Sequence, residues 1–198
     1  FAPASTTAAS AFRSMTEIVS ISQWIQAEAY RFAYQAGRRR KWHRSLMASW
    51  TFDEPWPNAA HGCVIDYYGL PKHAFYSVRQ SMAMLDVSLA YSNIHSAPGQ
   101  QLQATVWVDS ELDFERRCTV AASFFTPAGA DLGSENITDV QVKPDASTKL
   151  SQLKFTPTSK LLGDVVIVRL DLRCATGSGG GDELVATNDY TFGVKSPP

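Results

Sequence analysis

Ser45-Leu46-Met47-Ala48-Ser49-Trp50-Thr51-Phe52-Asp53-Glu54-Pro55-Trp56-Pro57-Asn58 is the stretch on which the reading of this chain turns. Leu46 to Phe52 is a short apolar run with two aromatics and no glycine or proline, which predicts a buried strand. Both of its faces are largely apolar, as in a parallel sheet covered on both sides. Pro55 and Pro57 cannot continue a central strand. The run therefore opens into a rigid loop carrying Asp53, Glu54, Trp56 and Asn58. Ligands bind at the carboxyl ends of strands in barrels and open α/β sheets. Two tryptophans beside two carboxylates suit a sugar: rings stack on its C–H faces and carboxylates accept hydrogen bonds from its hydroxyls.

Upstream, Ser14-Met15-Thr16-Glu17 fits a capping box. Ile18, Ile21, Ile25, Ala29, Phe32 and Ala36 then recur at helical spacing. Gly37 is placed to end that helix, and Arg38 to Lys41 complement its C-terminal dipole as a solvated basic end. Downstream, Asp66-Tyr67-Tyr68-Gly69 reads as a turn. Pro71 suits a first helical position. Phe75, Val78, Met82 and Leu85 form an apolar stripe, predicting a helix from Pro71 to about Met84. Helix, strand, loop, helix is the tail of a repeating βα unit.

From Asp86 the period changes to two. Leu102, Ala104, Val106 and Val108 alternate with polar neighbours, as do Cys118 to Phe124 and Val166 to Cys174. That is the pattern of half-buried antiparallel strands. Turn signals at Pro98-Gly99, Pro127-Ala128-Gly129, Pro144-Asp145 and Gly177 to Gly181 separate them. About seven strands over this length suggest an immunoglobulin-like sandwich, with the boundary near Leu85 to Ser88. The glycine run is a flexible hairpin tip and not a phosphate loop, because no helix follows it.

Ser45 to Asn58, followed by Val64-Ile65-Asp66-Tyr67-Tyr68-Gly69-Leu70-Pro71-Lys72-His73-Ala74-Phe75-Tyr76, resembles the last barrel strand and last barrel helix of glycoside hydrolase family 2. Gln26 to Phe32 and Gly37 to Lys41 are similar to the preceding barrel helix. The likeness is densest over residues 18 to 80, and the β-rich remainder resembles the sandwich that follows the barrel in β-mannosidase-like members. It implies α/β then all-β: residues 1–85 as the C-terminal segment of a (β/α)8 catalytic barrel, and residues 86–198 as an immunoglobulin-like β-sandwich. It further implies a retaining exo-β-glycosidase that hydrolyses terminal β-glycosides.

Such enzymes need two carboxylates about 5 Å apart. Thr51-Phe52-Asp53-Glu54-Pro55 makes Asp53 and Glu54 tempting, but adjacent residues on an extended segment point opposite ways. The resemblance also puts the two catalytic glutamates on the fourth and seventh barrel strands, which would precede Phe1. The expectation is that this chain carries no catalytic residue. It would supply substrate-binding residues instead: Trp50, Asp53, Glu54 and Trp56. In the family a tryptophan near the end of the last barrel strand forms part of the sugar-binding floor, often after a cis peptide. Trp50 is its counterpart, with a plain core tryptophan as the alternative. Trp56 lines the rim or staples the loop. Asp53 and Glu54 bind sugar hydroxyls or brace their neighbours, with bracing favoured because a two-proline loop needs fixed polar partners.

Composition limits the other classes. A formal net charge of −1 argues against a nucleic-acid surface. No apolar run approaches the roughly 20 residues of a membrane span. Phe1-Ala2-Pro3 is not a signal peptide, and the missing initiator Met suggests a processed or excised piece. Secreted, periplasmic and cytoplasmic locations all stay open. Cys63, Cys118 and Cys174 have no metal-ligand spacing. They read as buried free thiols, or as one Cys118–Cys174 bridge with Cys63 left over. No metal or cofactor is implied. His43, His61, His73 and His95 are scattered, although His61 lies in the loop. Trp107 and Phe125 face outward, for packing or for a sugar. Asn136-Ile137-Thr138 is an N-glycosylation sequon that matters only in a secreted eukaryotic protein.

The expected partners are a β-glycoside and the remainder of the barrel, in the same or another polypeptide. A stand-alone carbohydrate-binding or adhesion sandwich with a helical lead-in is the alternative. It has no need of a buried strand between two helices. A third reading, a small complete hydrolase using Glu54, is the weakest.

Overall fold

The computed structural model describes residues 14–44, 46–58, 62–176 and 181–196. Two helices precede eight strands: α1 (Met15–Arg38), α2 (His73–Ser81), β1 (Leu85–Tyr91), β2 (His95–Ser96), β3 (Ala104–Ser110), β4 (Arg116–Phe125), β5 (Asp131–Val142), β6 (Ser147–Gln152), β7 (Val165–Ala175) and β8 (Asp182–Val194). The chain divides into two units. One comprises Phe1–Gly37 with Arg44–Met82, the other Arg38–His43 with Ala83–Pro198. Among the described residues no helix is long and apolar enough to cross a membrane.

The second unit is a β-sandwich. One sheet runs β1-β3-β6 and the other β2-β8-β7-β4-β5. Every pairing is antiparallel except β2 with β8. The period-two pattern sets the faces. On β7, Val166, Val168, Leu170, Leu172 and Cys174 are buried, while Arg169 and Arg173 are exposed. The β4–β7 register puts Val120 opposite Leu172, Ala122 opposite Leu170 and Phe124 opposite Val168, so both strands turn one apolar face inward. Leu85, Val87 and Leu89 of β1 and Ala104, Val106 and Val108 of β3 belong to the same core of 23 buried residues.

The same register places Cys118 directly opposite Cys174, and the two form a disulfide. Free thiols at these two positions are therefore not what the fold contains. Cys63 stands outside the disulfide as a thiol, and it is buried.

In the basic run after α1, Arg40 is exposed as expected of a solvated end, but Arg39 and Lys41 are engaged by the protein. Arg39 donates to Ser88 Oγ at 3.1 Å, and Lys41 donates to the Ser110 carbonyl at 2.9 Å. Lys41 Nζ also lies 2.5 Å from the Asp145 carboxylate. These cations sit where the sandwich gathers Asp86, Asp109, Glu111 and Asp145, so pairing replaces hydration. Asp109 is 2% exposed and accepts from Ser147 Oγ at 2.5 Å. Burial pushes its carboxyl above the usual carboxylate range, against the pull of Ser147, Arg38, Arg39 and Ser88. Burial also lowers the Arg39 guanidinium.

The first unit is built differently. The Ser14 hydroxyl accepts from the Glu17 N–H at 3.2 Å and caps α1. The helix then runs past Gly37 to Arg38, one residue beyond the expected stop. Its buried residues are Ala27, Arg31, Tyr34, Gln35 and Gly37. The apolar stripe that should face a core is turned outward: Ile21, Ile25 and Phe32 are all exposed. Among the described residues the buried cluster here is Ala27, Val64 and Ala74. The second helix is shorter than its stripe predicts, starting at His73 with Lys72 as N-cap and ending at Ser81. Leu85, expected to close that stripe, instead begins β1.

Leu46 to Phe52 forms no strand, which corrects the central expectation for a strand buried in its own chain. Leu46, Trp50 and Phe52 are 83%, 86% and 59% exposed. A strand needs ladder partners for its N–H and C=O groups. Within the described residues the stretch has one neighbouring bridge, Asp53 with Ile65 in parallel sense.

Candidate functional site

The loop after Phe52 is folded by its own backbone. The Phe52 carbonyl accepts from Val64 N and Ile65 N, both at 3.1 Å, and the Val64 carbonyl accepts from Lys72 N at 2.9 Å. Asp66 Oδ1 accepts from Tyr68 N and Leu70 N, an Asx turn that orders the predicted Asp66–Gly69 turn. Gly69 takes φ +79°, a conformation that its lack of Cβ permits. Beneath, the Cys63 thiol lies 2.8 Å from Thr51 Oγ1 and donates to the Asp53 carbonyl at 3.0 Å. From α1, Gln26 and Tyr30 donate to the Gly62 carbonyl at 2.7 and 3.0 Å. Burial, then the neighbouring Tyr34 and Cys63, raise the Tyr30 pKa, which keeps it a donor.

Glu54 is the one buried carboxylate of the loop, with its side chain 4% exposed, and it is bound by Lys72 Nζ. Eighteen residues separate the pair, and the Val64–Lys72 backbone hydrogen bond brings it together. Lys72, the N-cap of α2, was not singled out from the sequence. No local pattern marks it, because its partner is set by how the loop returns. Glu54 and Lys72 lie at one side of an open groove of about 860 Å³. Met15, Ile18 and Val19 of α1 form its apolar wall, and Asn58, Tyr67 and Tyr68 line it from the loop.

Of the four expected binding residues, Glu54 is the one that lines this groove. Asp53 is exposed, and its carbonyl, not its carboxylate, is the group with a loop partner here. Trp56 is 61% exposed. Trp50 presents its ring to solvent, and the peptide bond after it, Trp50–Thr51, is cis, whereas the resemblance puts the cis bond before the tryptophan. Adjacent Asp53 and Glu54 differ in burial, as expected for neighbours pointing opposite ways. His43 and His73 are exposed, and His61 lies outside the described residues. Among the described residues no three His, Cys, Asp or Glu side chains gather to hold a metal. Phe125 of β4 is half-buried under the Arg169 guanidinium, 5.5 Å from the ring centre, and Arg169 is held in turn by Asp189.

The chain matches no family model. It is 27% identical over 143 residues to "Beta-mannosidase B" of Aspergillus flavus and 28% identical over 143 residues to that of Aspergillus clavatus. Each of these alignments covers 67% of this chain and 17% of the relative. The chain thus spans about a sixth of the length of the curated relatives it matches. Among solved structures, the β-D-mannosidase of Dictyoglomus thermophilum superposes with a TM-score of 0.69 at 22% identity, covering 94% of this chain and 21% of that one. In sequence and in fold, the chain is similar to one segment of a β-mannosidase, as the resemblance carried by residues 18 to 80 implied.

Proposed function

We propose that this chain is the C-terminal segment of a retaining exo-β-glycosidase of glycoside hydrolase family 2, with a terminal β-mannoside as substrate. Residues 1–85 complete a (β/α)8 barrel, residues 86–198 form an immunoglobulin-like supporting sandwich, and the two catalytic glutamates lie elsewhere in the same protein. One observation carries the reading. Of the 21 large hydrophobic residues exposed among the described ones, 17 lie between Met15 and Met84. Exposed apolar patches of this extent mark an interface. The stripe of α1, the run Leu46 to Phe52 and the aromatics Trp50, Trp56, Tyr67 and Tyr68 are what a barrel segment would bury against neighbouring strands. The sandwich shows no such deficit, with Ile94, Phe114, Leu162 and Leu184 as its scattered exceptions.

In this reading Trp50 stacks on the sugar at the mouth of the barrel, Trp56 and Asp53 border the pocket, and Glu54 is held by Lys72 as a brace. The test is hydrolysis of an aryl β-D-mannoside by the full-length gene product that contains this chain. Trp50→Ala should lower kcat/KM about 100-fold, the scale of loss when the reacting sugar is misplaced. Melting temperature should change little. A folded Trp50→Ala enzyme with unchanged kcat/KM removes Trp50 from the pocket. Absence of any aryl β-glycoside turnover by the full-length protein removes the glycosidase reading. The sandwich-only alternative has no observation in its favour, because it leaves the exposed residues of the first unit unexplained.

A further inference from the structure

We propose that Asn136 is an N-glycosylation site and that the chain folds in an oxidising secretory compartment. Two independent observations meet here. The first is the placement of Asn136-Ile137-Thr138 on β5, the outermost strand of the five-stranded sheet. Strand alternation turns Asn136 and Thr138 to solvent together, and both are exposed. Ile137 points the other way and packs against the sandwich core. The acceptor amide and the hydroxyl that defines the sequon thus share one open face. Asn136 is paired on one side only, with Ala121 of β4, so a bulky glycan meets no further strand of its sheet.

The second observation is the Cys118–Cys174 disulfide, carried by β4 and β7. Structural disulfides persist in oxidising compartments and are rare in the cytosol. In eukaryotes the compartment that forms them is also the one that glycosylates sequons, so the bridge supplies the oxidising compartment that glycosylation at Asn136 requires.

The co-reactant is a lipid-linked diphospho-oligosaccharide. The Asn136 amide nitrogen forms a bond to the anomeric carbon of the first sugar. The bond from that carbon to the diphosphate oxygen breaks, the lipid diphosphate leaves with the electron pair, and the amide proton passes to a base of the transferase. The product also guards the fold. β5 is a 12-residue edge strand, and long bare edges invite pairing with other chains. A glycan at Asn136 blocks that approach.

The experiment is peptide mass spectrometry on the full-length protein isolated from its own source, before and after peptide N-glycosidase. The expected result is a hexose-rich adduct on the peptide spanning Asn136, removed by the enzyme to leave an aspartate at that position. The adduct should be lost in Asn136→Gln and in Thr138→Ala and kept in Thr138→Ser, with all three variants folded by circular dichroism. An Asn136 peptide found wholly unmodified overturns the proposal, whatever the state of the cysteines. So does an adduct that persists in Asn136→Gln.

Discussion

Removing the Cys118–Cys174 bridge is the perturbation whose size follows most directly from the fold. The two cysteines are 56 positions apart, so the bridge closes a large loop in the unfolded chain. On the chain-entropy account a loop of that length removes about 14 cal/mol/K from the denatured ensemble, or about 4 kcal/mol at 25 °C. Domains of this size are stable by only about 5–15 kcal/mol in total, so the loss would be a large share. Reduction keeps both sulfurs in place and leaves the packing of Val120, Leu172 and their neighbours almost unchanged. The effect should therefore act on the unfolded state. The assay is urea unfolding of residues 83–196, which contain all 23 core residues. It is followed by circular dichroism with and without reductant, and repeated on a Cys118→Ala/Cys174→Ala variant. The reduced protein should unfold at markedly lower urea, with a larger m-value as its denatured state expands. Identical midpoints in oxidised and reduced protein would refute the bridge and, with it, the compartment argued from it.

Two further outcomes follow from buried charges. Glu54→Gln removes the buried carboxylate charge that pairs with Lys72, and breaking a buried pair in this way costs about 3–5 kcal/mol. In the full-length protein it should lower the melting temperature while leaving kcat for an aryl β-mannoside within a few-fold. A collapse of kcat at unchanged stability would make Glu54 a substrate-binding or catalytic group instead of a brace. At Asp109 the folded-state pKa is raised, chiefly by burial, so the folded protein holds the proton more tightly than the unfolded one. Its contribution is complete below the ordinary carboxylate pKa of about 4 and is lost as pH rises through the raised value. The urea-midpoint advantage of wild type over Asp109→Asn should thus be greatest in acid and shrink toward neutrality. An advantage that grows with pH would show the sign to be wrong.

The sandwich was legible because alternation is a local signal. Val166, Val168, Leu170, Leu172 and Cys174 needed only their own spacing to declare an inward face. The bridge was not legible, because whether Cys118 meets Cys174 depends on register, and a slip of one residue would have separated them. Nor was the pairing of Arg38 and Lys41, since Glu111 and Asp145, which receive them, lie in the turns after β3 and after β5. In the first unit local pattern and burial disagree. Ile21, Ile25 and Phe32 mark a helix correctly but are exposed, while Ala27 and Tyr34 carry the buried face. Periodicity reports that a face exists, whereas burial depends on what covers it. Trp50 was identified by its place beside Asp53, Glu54 and Trp56 and by the resemblance, whereas Lys72 carried no signal at all.

The central claim is that Leu46 to Phe52 becomes a buried barrel strand only beside strands from the rest of the polypeptide. Amide hydrogen exchange measures it directly, because each ladder hydrogen bond slows its own N–H. Residues 1–198 alone and the full-length gene product should be compared peptide by peptide. The account predicts fast exchange across Leu46 to Phe52 in the isolated chain, strong protection there in the full-length protein, and equal protection of β4, β7 and β8 in both. Fast exchange across Leu46 to Phe52 in the folded full-length protein would contradict it.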